Sequence, residues 1–351
     1  MRERSNAPTM KDVAREAGVA LGTVSKVFNG LPVGESYRKR VEAAAEKLGY
    51  QVNVYARGLR ASKTNVIAVI LPGTIHPFFG ALAEHLGKEL SRRGCRMMLE
   101  QTGYNVQGEQ NAIQMVWQNK VDGIIGLTYS PDLEVPENIP FVSFDRCLGP
   151  NIPCISSDNF GGGQMAAQKL AELGCKHLLF LRRGTTVKGE VDKRQLGFET
   201  ACQSLGLPYD CLNCRDEEEM VPFAAFLDDH IHKGRLDYDG IFCNTDLLAA
   251  RIWSMLLERG ISVPEQVQII GFDGLQLFGF DWYYCSTMVQ PVEKLAATAV
   301  NVLLSEDREN LPSMIYLPVT YAPAGSTKDG VSPWPVTISS GNTATSSRKK
   351  K

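Results

Sequence analysis

Apolar positions in this chain follow two different rhythms, and the change between them divides it. In the first fifty residues they recur every three to four positions: Met10, Val13, Ala14 and Ala17; then Val24, Val27 and Phe28; then Val41, Ala44, Ala45 and Leu48. That spacing puts each set on one helical face. Thr9 stands where an N-cap is needed, Asp12 follows in the first turn, Gly18 suits a tight turn, and Gly49 marks a stop. The pattern predicts three short helices, with the second carried by 23–28 and the third by 35–48, around one small core. The polar face of the second, with Gly22, Thr23, Ser25 and Lys26, then points outward. A helix-turn-helix presents side chains to the major groove of DNA in this way.

From residue 66 the rhythm becomes continuous apolar runs: 66–72 (VIAVILP), 122–127, 140–144, 177–181, 240–243 and 267–272. Each reads as a strand buried on both faces. Helical patterns lie between them at 79–93, 107–119, 163–173, 197–204 and 247–259. The alternation predicts parallel sheets covered by helices, an α/β class. Residues 63–325 are too many for one such sheet, so two subdomains are expected, with the cleft between them as the default ligand site.

Charge sharpens the division. Residues 1–62 hold eleven Lys/Arg against six Asp/Glu, leaving 26 against 33 in the remainder. A basic end fits phosphate, and an acidic remainder does not. No run approaches membrane-span length. Nine cysteines without a signal peptide point to a reducing cytoplasm. Cys211 and Cys214 with His230 and His232 suggest metal or redox chemistry, but the spacing matches no standard finger, and reduced thiols are the expectation; no metal or cofactor is predicted. Gly161, Gly162 and Gly163 lack the Lys-Ser/Thr of a phosphate loop and read as hinge flexibility. The segment 326–351 is rich in Ser, Thr, Gly and Pro and is expected to be disordered; without leucine it offers no coiled coil for tetramerisation.

The motifs TMKDVA, AGV, TVSKVFNG, AAAEKLGY and ARGLR within 9–62, then VILPGTIHPFFGAL, VDGIIGL, PFVSFDR, RQLGFETACQSLG, GIFCNTDLLAARI and VQIIGFD, closely resemble the lac repressor/galactose repressor family of bacterial transcription regulators. The resemblance implies a headpiece over 1–52, a hinge helix over 53–62 and a periplasmic-binding-protein-like core over 63–325. Within the core, 63–161 with 292–322 would form one subdomain and 162–290 with 323–340 the other. The chain would cross between them near 160–163, 288–293 and 321–325. It further implies a homodimer on near-palindromic double-stranded operator DNA. Leu21, Gly22 and Lys26 take the base-reading positions. Thr23 and Ser25 take phosphate positions, and Thr9, Asn29, Tyr50 and Asn53 complete the DNA-facing set. In the hinge Ala56 faces its counterpart, Arg57 and Arg60 neutralise phosphate, and Leu59 is an apolar wedge for the minor groove. Gly58 departs from the commoner serine and lowers helix propensity by up to about 1 kcal/mol.

For the effector the resemblance implies Arg194, whose fork of donors suits ligand oxygens, and Asp273 at the end of a buried strand. Phe78 and Phe79 follow the first strand, where a ring stacks on the ligand. Thr245 replaces a common asparagine, Asp145 and Asp158 are strand-end acids, and Trp282 belongs to an aromatic cluster that lines the pocket or packs an interface. An interdomain ion pair is the alternative role for Arg194 and Asp273. A carbohydrate effector is expected, with a purine, nucleoside or protein corepressor as alternatives. A secreted sugar receptor would need a signal, and a carbohydrate enzyme using Asp145 and Asp158 lacks a supporting nucleophile-and-base motif.

Overall fold

The computed structural model describes residues 8–50, 64–130, 133–136, 138–185, 187–276, 282–308 and 310–331, apart from the side chain of Glu217. The hinge residues Asn53, Ala56, Arg57, Leu59 and Arg60 lie outside them. Backbone contacts divide the chain between Asn65 and Val66.

The first unit is three helices, α1 (Met10–Ala17), α2 (Leu21–Phe28) and α3 (Glu35–Leu48). Thr9 caps α1 reciprocally: its hydroxyl accepts from the Asp12 N–H, and its own N–H donates to the Asp12 carboxylate at 2.9 Å. Gly18, at φ +60°, ends the helix in the left-handed conformation. The Arg40 guanidinium then donates to the carbonyls of Ala17 (2.5 Å) and Gly18 (2.9 Å), tying α3 to the turn. Val13, Val24 and Val41, one from each helix, are fully buried. α2 starts two residues earlier than the apolar pattern indicates, because its N-cap is Ala20, which supplies no side-chain signal.

The second unit contains β1 (Val66–Leu71), α4 (Pro77–Arg92), β2 (Arg96–Gln101), α5 (Val106–Gln118), β3 (Gly123–Gly126), β4 (Phe141–Phe144), β5 (Cys154–Ser157) and α6 (Asn159–Glu172). It continues through β6 (Leu178–Gly184), α7 (Lys193–Leu205), β7 (Tyr209–Arg215), α8 (Val221–Asp229), β8 (Ile231–His232), β9 (Arg235–Leu236), β10 (Gly240–Cys243) and α9 (Asp246–Glu258). Last come β11 (Gln268–Asp273), β12 (Ser286–Val289), α10 (Val292–Leu303), β13 (Met314–Leu317) and β14 (Thr320–Ala322). One sheet has the order β13-β5-β4-β3-β1-β2 and is wholly parallel; the other, β14-β12-β11-β10-β6-β7, is parallel except for β14. β8 and β9 form a separate hairpin. Helices cover both faces of the main sheets, which is why β3, β4, β10 and β11 are buried throughout.

Three differences from the sequence reading have clear causes. The last passage between sheets runs through 318–319, ahead of the expected 321–325, because β14 already pairs with β12. Gly161, Gly162 and Gly163 lie inside α6 and serve packing, not hinge flexibility: a Cβ on Gly163 would lie 2.0 Å from the Arg194 carbonyl oxygen, and one on Gly162 would lie 2.7 Å from the Phe272 ring. The core also extends past 325. Ser326 and Thr327 are fully buried, and the Ser326 hydroxyl donates to the Ile269 carbonyl at 2.7 Å, so the expected disorder does not hold for 326–331.

Candidate functional sites

On the first unit, Leu21, Gly22, Lys26 and Asn29 are exposed along α2, while Thr23 and Ser25 are half-buried. The Asn29 amide donates to Ser25 Oγ at 3.3 Å, and Tyr50 packs its ring against Phe28. Much of the segment's positive charge is structural. Arg15 pairs with Asp12, Lys47 with Glu16 at 2.5 Å, and Arg40 is spent on the α1 turn. Among the described residues, Lys11, Lys26 and Arg38 remain without an internal carboxylate partner. Lys26, exposed on α2 beside Leu21, Gly22 and Asn29, gives that helix a surface suited to a polyanion.

In the second unit the carboxyl ends of both main sheets converge, and charged side chains gather there. Arg194, in the first turn of α7, is 3% exposed. Its Nε donates to Asn159 Oδ1 at 2.7 Å, one terminal nitrogen donates to the Asn244 carbonyl, and its plane lies 3.6 Å above the Phe272 ring. Asp273 closes β11, with one oxygen 3.8 Å from Arg194 and accepting from Gln290 Nε2 at 2.8 Å. Its other oxygen is buried without a hydrogen bond. Burial outweighs Arg194 and pushes this carboxyl up. Arg194 and Asp273 belong to the same sheet's layers, so they are not the interdomain ion pair that the sequence left open.

The first sheet contributes His76, which caps α4, and its Nε2 stands 4.0 Å from the unpartnered Asp273 oxygen. The buried Nδ1 of His76 also lacks a partner. Burial, with Arg194 nearby, lowers its pKa to about 4, so the ring is neutral at pH 7. Phe79 packs between His76 (5.1 Å) and Tyr104 (6.4 Å), whereas Phe78 is an edge-on neighbour of Phe79 within the core. Asp145 follows β4 at φ +55°, accepts from Ser156 Oγ at 2.6 Å, and is pushed up by burial. Asp273 itself sits at φ +130°. Two non-glycine residues held in disfavoured backbone on opposite walls mark this cleft as more than packing.

Other expected contacts have different partners. Thr245 caps α9, its hydroxyl accepting from the Leu248 N–H at 3.2 Å; Asp158 caps α6, accepting from the Gly161 N–H at 2.8 Å. Trp282 is half-exposed on the β11–β12 loop, beside the bridge of Tyr283 with Gln276. Cys211 donates to Glu199, Cys214 is a core residue, and His230 stacks on Phe226. Among the described residues no cluster of three or more metal-ligating side chains occurs. Sequence reasoning did not single out His76, Ser157 and Gln290 as site residues, although His76 lies inside the VILPGTIHPFFGAL motif and Gln290 inside the crossing expected at 288–293. Ser157 Oγ donates to Gln290 Oε1 at 2.7 Å, joining two of the passages between the sheets. A cavity of about 870 Å³ lies at the opposite end of the first sheet, lined by Pro136, Pro140, Pro153 and Leu303. It sits where strands begin, whereas ligands of open parallel sheets bind where strands end.

Residues 9–53 match the family model for bacterial regulatory proteins of the lacI family, and residues 64–311 match that for periplasmic binding proteins and the sugar-binding domain of the LacI family. The sucrose operon repressor of Streptococcus mutans is 32% identical over 314 residues, 88% of this chain and 96% of that protein. The ribose operon repressor of Bacillus subtilis is 32% identical over 318 residues, 89% and 96%. A periplasmic binding protein/LacI transcriptional regulator from Alkaliphilus metalliredigens, solved with D-xylulofuranose, superposes with a TM-score of 0.63 at 28% identity, covering 75% of this chain and 99% of that one. The lac repressor dimer bound to operator shares the fold, with a TM-score of 0.78 at 19% identity over 92% of this chain and 99% of its own. With helix-turn-helix and two-sheet core both matched in order along one chain, the protein belongs to the lacI family of bacterial regulatory proteins.

Proposed function

We propose that the protein represses transcription as a cytoplasmic homodimer on a near-palindromic operator, and that a sugar in the cleft between the core sheets sets its DNA affinity. The observation that carries the effector half is the unpartnered Asp273 oxygen beside buried Arg194 and facing His76. Such a group costs free energy until a hydrogen-bond partner reaches it, and a sugar hydroxyl, which can both donate and accept, is such a partner whether the carboxyl is ionised or protonated. On this reading Phe79 offers a ring face, Asp145 closes the first-sheet wall, and Arg194 orients the ligand. Phe78, Thr245 and Trp282 act less directly, through packing, helix capping and the neighbouring loop.

The exposed α2 face supports the DNA half. Lys26 reads a base edge or phosphate, Leu21 and Gly22 allow close apolar approach, and Thr9, Thr23, Ser25, Asn29 and Tyr50 hold the backbone. Asn53, Ala56, Arg57, Leu59 and Arg60 provide the hinge, with Leu59 as wedge. The coupling runs through Asp273, Gln290 and Ser157, a hydrogen-bonded chain from the cleft to two inter-sheet passages. A ligand that rearranges Asp273 acts on those passages. Operator and effector affinities are then reciprocally linked.

The test is operator binding by fluorescence anisotropy, with and without sucrose, D-ribose, D-fructose, cellobiose or adenosine, alongside thermal stability with each ligand. One sugar should raise the melting midpoint and change operator affinity. A response to adenosine alone, or to none of these, refutes the carbohydrate reading. Failure to bind operator-like DNA refutes the regulatory one.

A further inference from the structure

Resting on the carbohydrate reading, we propose that Tyr129 is a further effector contact, its phenol meeting a sugar hydroxyl from the first-sheet wall, and that Glu109 is the positioning residue that holds it there. Sheet order places Tyr129. β4, β3, β1 and β2 lie side by side, so residues shortly beyond their carboxyl ends form a row: Asp145, Tyr129, His76 and Tyr104. Tyr129 stands inside that row, between two residues that already face the cleft. Its ring packs against the first sheet's apolar core, which anchors the body of the side chain and leaves the hydroxyl as its polar tip.

The turn that carries Tyr129 is braced. Glu109, in the first turn of α5, is 1% exposed, and its two carboxylate oxygens accept from the Tyr129 N–H at 2.6 Å and the Ser130 N–H at 2.7 Å. A buried carboxylate is costly without such partners, and the helix N-terminus favours its charge. α5 is itself fixed to the end of β2. Asn105 caps it, accepting from the Gly108 N–H at 2.7 Å and donating to the Thr102 carbonyl at 3.0 Å, and a Cβ on Gly108 would lie 1.9 Å from that same carbonyl oxygen. The N–H groups of residues 129 and 130 are thus satisfied from within, while the hydroxyls of Tyr129 and Ser130 have no hydrogen-bond partner among the described residues. Burial, with Asp145, Tyr104 and Asp216, raises the Tyr129 hydroxyl above its ordinary range, and Arg194 opposes them. Arg194 and Asp216 belong to the second sheet's layers, so this hydroxyl lies within electrostatic reach of both walls. A neutral phenol there can donate to a sugar hydroxyl or accept from one.

The experiment is isothermal titration of the full-length parent, Tyr129→Phe, Glu109→Gln and the double variant with sucrose, D-fructose and D-ribose, beside thermal unfolding of each protein. Tyr129→Phe keeps the ring and removes only the hydroxyl. The melting midpoint without sugar should therefore hold, while the sugar that binds the parent binds about 5- to 10-fold more weakly. Glu109→Gln turns an amide donor toward a backbone N–H that needs an acceptor, and should weaken the same sugar; combined with Tyr129→Phe it should add little, because no hydroxyl is left to misplace. Unchanged sugar affinity in Tyr129→Phe, or a loss matched by a lowered midpoint, overturns this inference and leaves the carbohydrate reading standing. Tyr129→Phe decides alone should Glu109→Gln not fold, and losses that multiply in full overturn the positioning role of Glu109. A parent silent towards all three sugars overturns both readings.

Discussion

Replacing Gly163 by alanine should damage the core more than any helix-propensity scale suggests. A glycine inside a helix costs about 1 kcal/mol relative to alanine, so in open space the change would stabilise. Here α6 and α7 approach backbone to backbone. A Cβ on Gly163 would meet the Arg194 carbonyl oxygen at 2.0 Å, and one on Gly197 would meet the Phe160 carbonyl oxygen at 2.0 Å. Ordinary nonbonded contact lies near about 3.5 Å, so the helices must part by roughly an ångström or more. Neither obstacle is a flexible side-chain tip. The interface between the helices contains Ala166, Ala167, Leu170, Phe198, Ala201 and Cys202, all buried, and cannot open without leaving voids. Overpacking costs typically about 1–3 kcal/mol, and backbone obstruction argues for the upper part of that range. Net destabilisation of about 2 kcal/mol is expected for either substitution after the propensity gain. Thermal unfolding of the full-length protein should show the midpoint lowered by several degrees, and sugar affinity should fall because Arg194 moves with α7. A Gly163→Ala protein as stable as the parent, or more stable, would refute the reasoning.

Gly22→Ala is the converse case: nothing lies within 4 Å of its built Cβ, so the headpiece should gain up to about 1 kcal/mol, read as a higher midpoint for its transition. For pH, burial raises the Asp273 carboxyl to about 8, and a carboxyl raised on folding contributes stability below its ordinary range that is lost as pH rises through the folded value. His76, lowered to about 4, is neutral in both states above its ordinary range, so the melting midpoint should fall from about pH 6.5 to 8 and Asp273→Asn should flatten that fall. Leu59→Ala should weaken operator binding while sugar titration stays unchanged; equal operator affinity removes the wedge. Lys26→Ala should lower operator affinity, and competition with altered operators will show whether discrimination falls (a base contact) or only the salt dependence changes (a phosphate contact).

The headpiece was readable because its information is local. Thr9, Asp12, Gly18 and Gly49 signal ends by cap and turn chemistry, and α3 falls on the predicted 35–48. Only the start of α2 escaped, at Ala20, where no side chain caps the helix. The covered strands β1, β3, β4, β6, β10 and β11 were readable too, since burial on both faces leaves an apolar run, whereas β5 (CISS) and β12 (STMV) are interior strands whose serines and threonine break the run and hid them. β2 (RMMLEQ) and β7 (YDCLNCR) lie at sheet edges, partly exposed, and their mixed sequences carry no such run.

The sequence by itself therefore determined the three-helix headpiece, the α/β class, the charge division and the family, all of which follow from neighbours along the chain. Tertiary structure decided what distant residues do to one another. The glycines of α6 look like hinge residues until α7 lies against them. Asp158 and Thr245 are cleft candidates until their helices claim them as caps. Arg194 and Asp273 are 79 positions apart, and His76 precedes both on a different sheet. Only closure of two sheets, strand ends inward, brings one unpartnered carboxyl oxygen to 4.0 Å from a neutral imidazole.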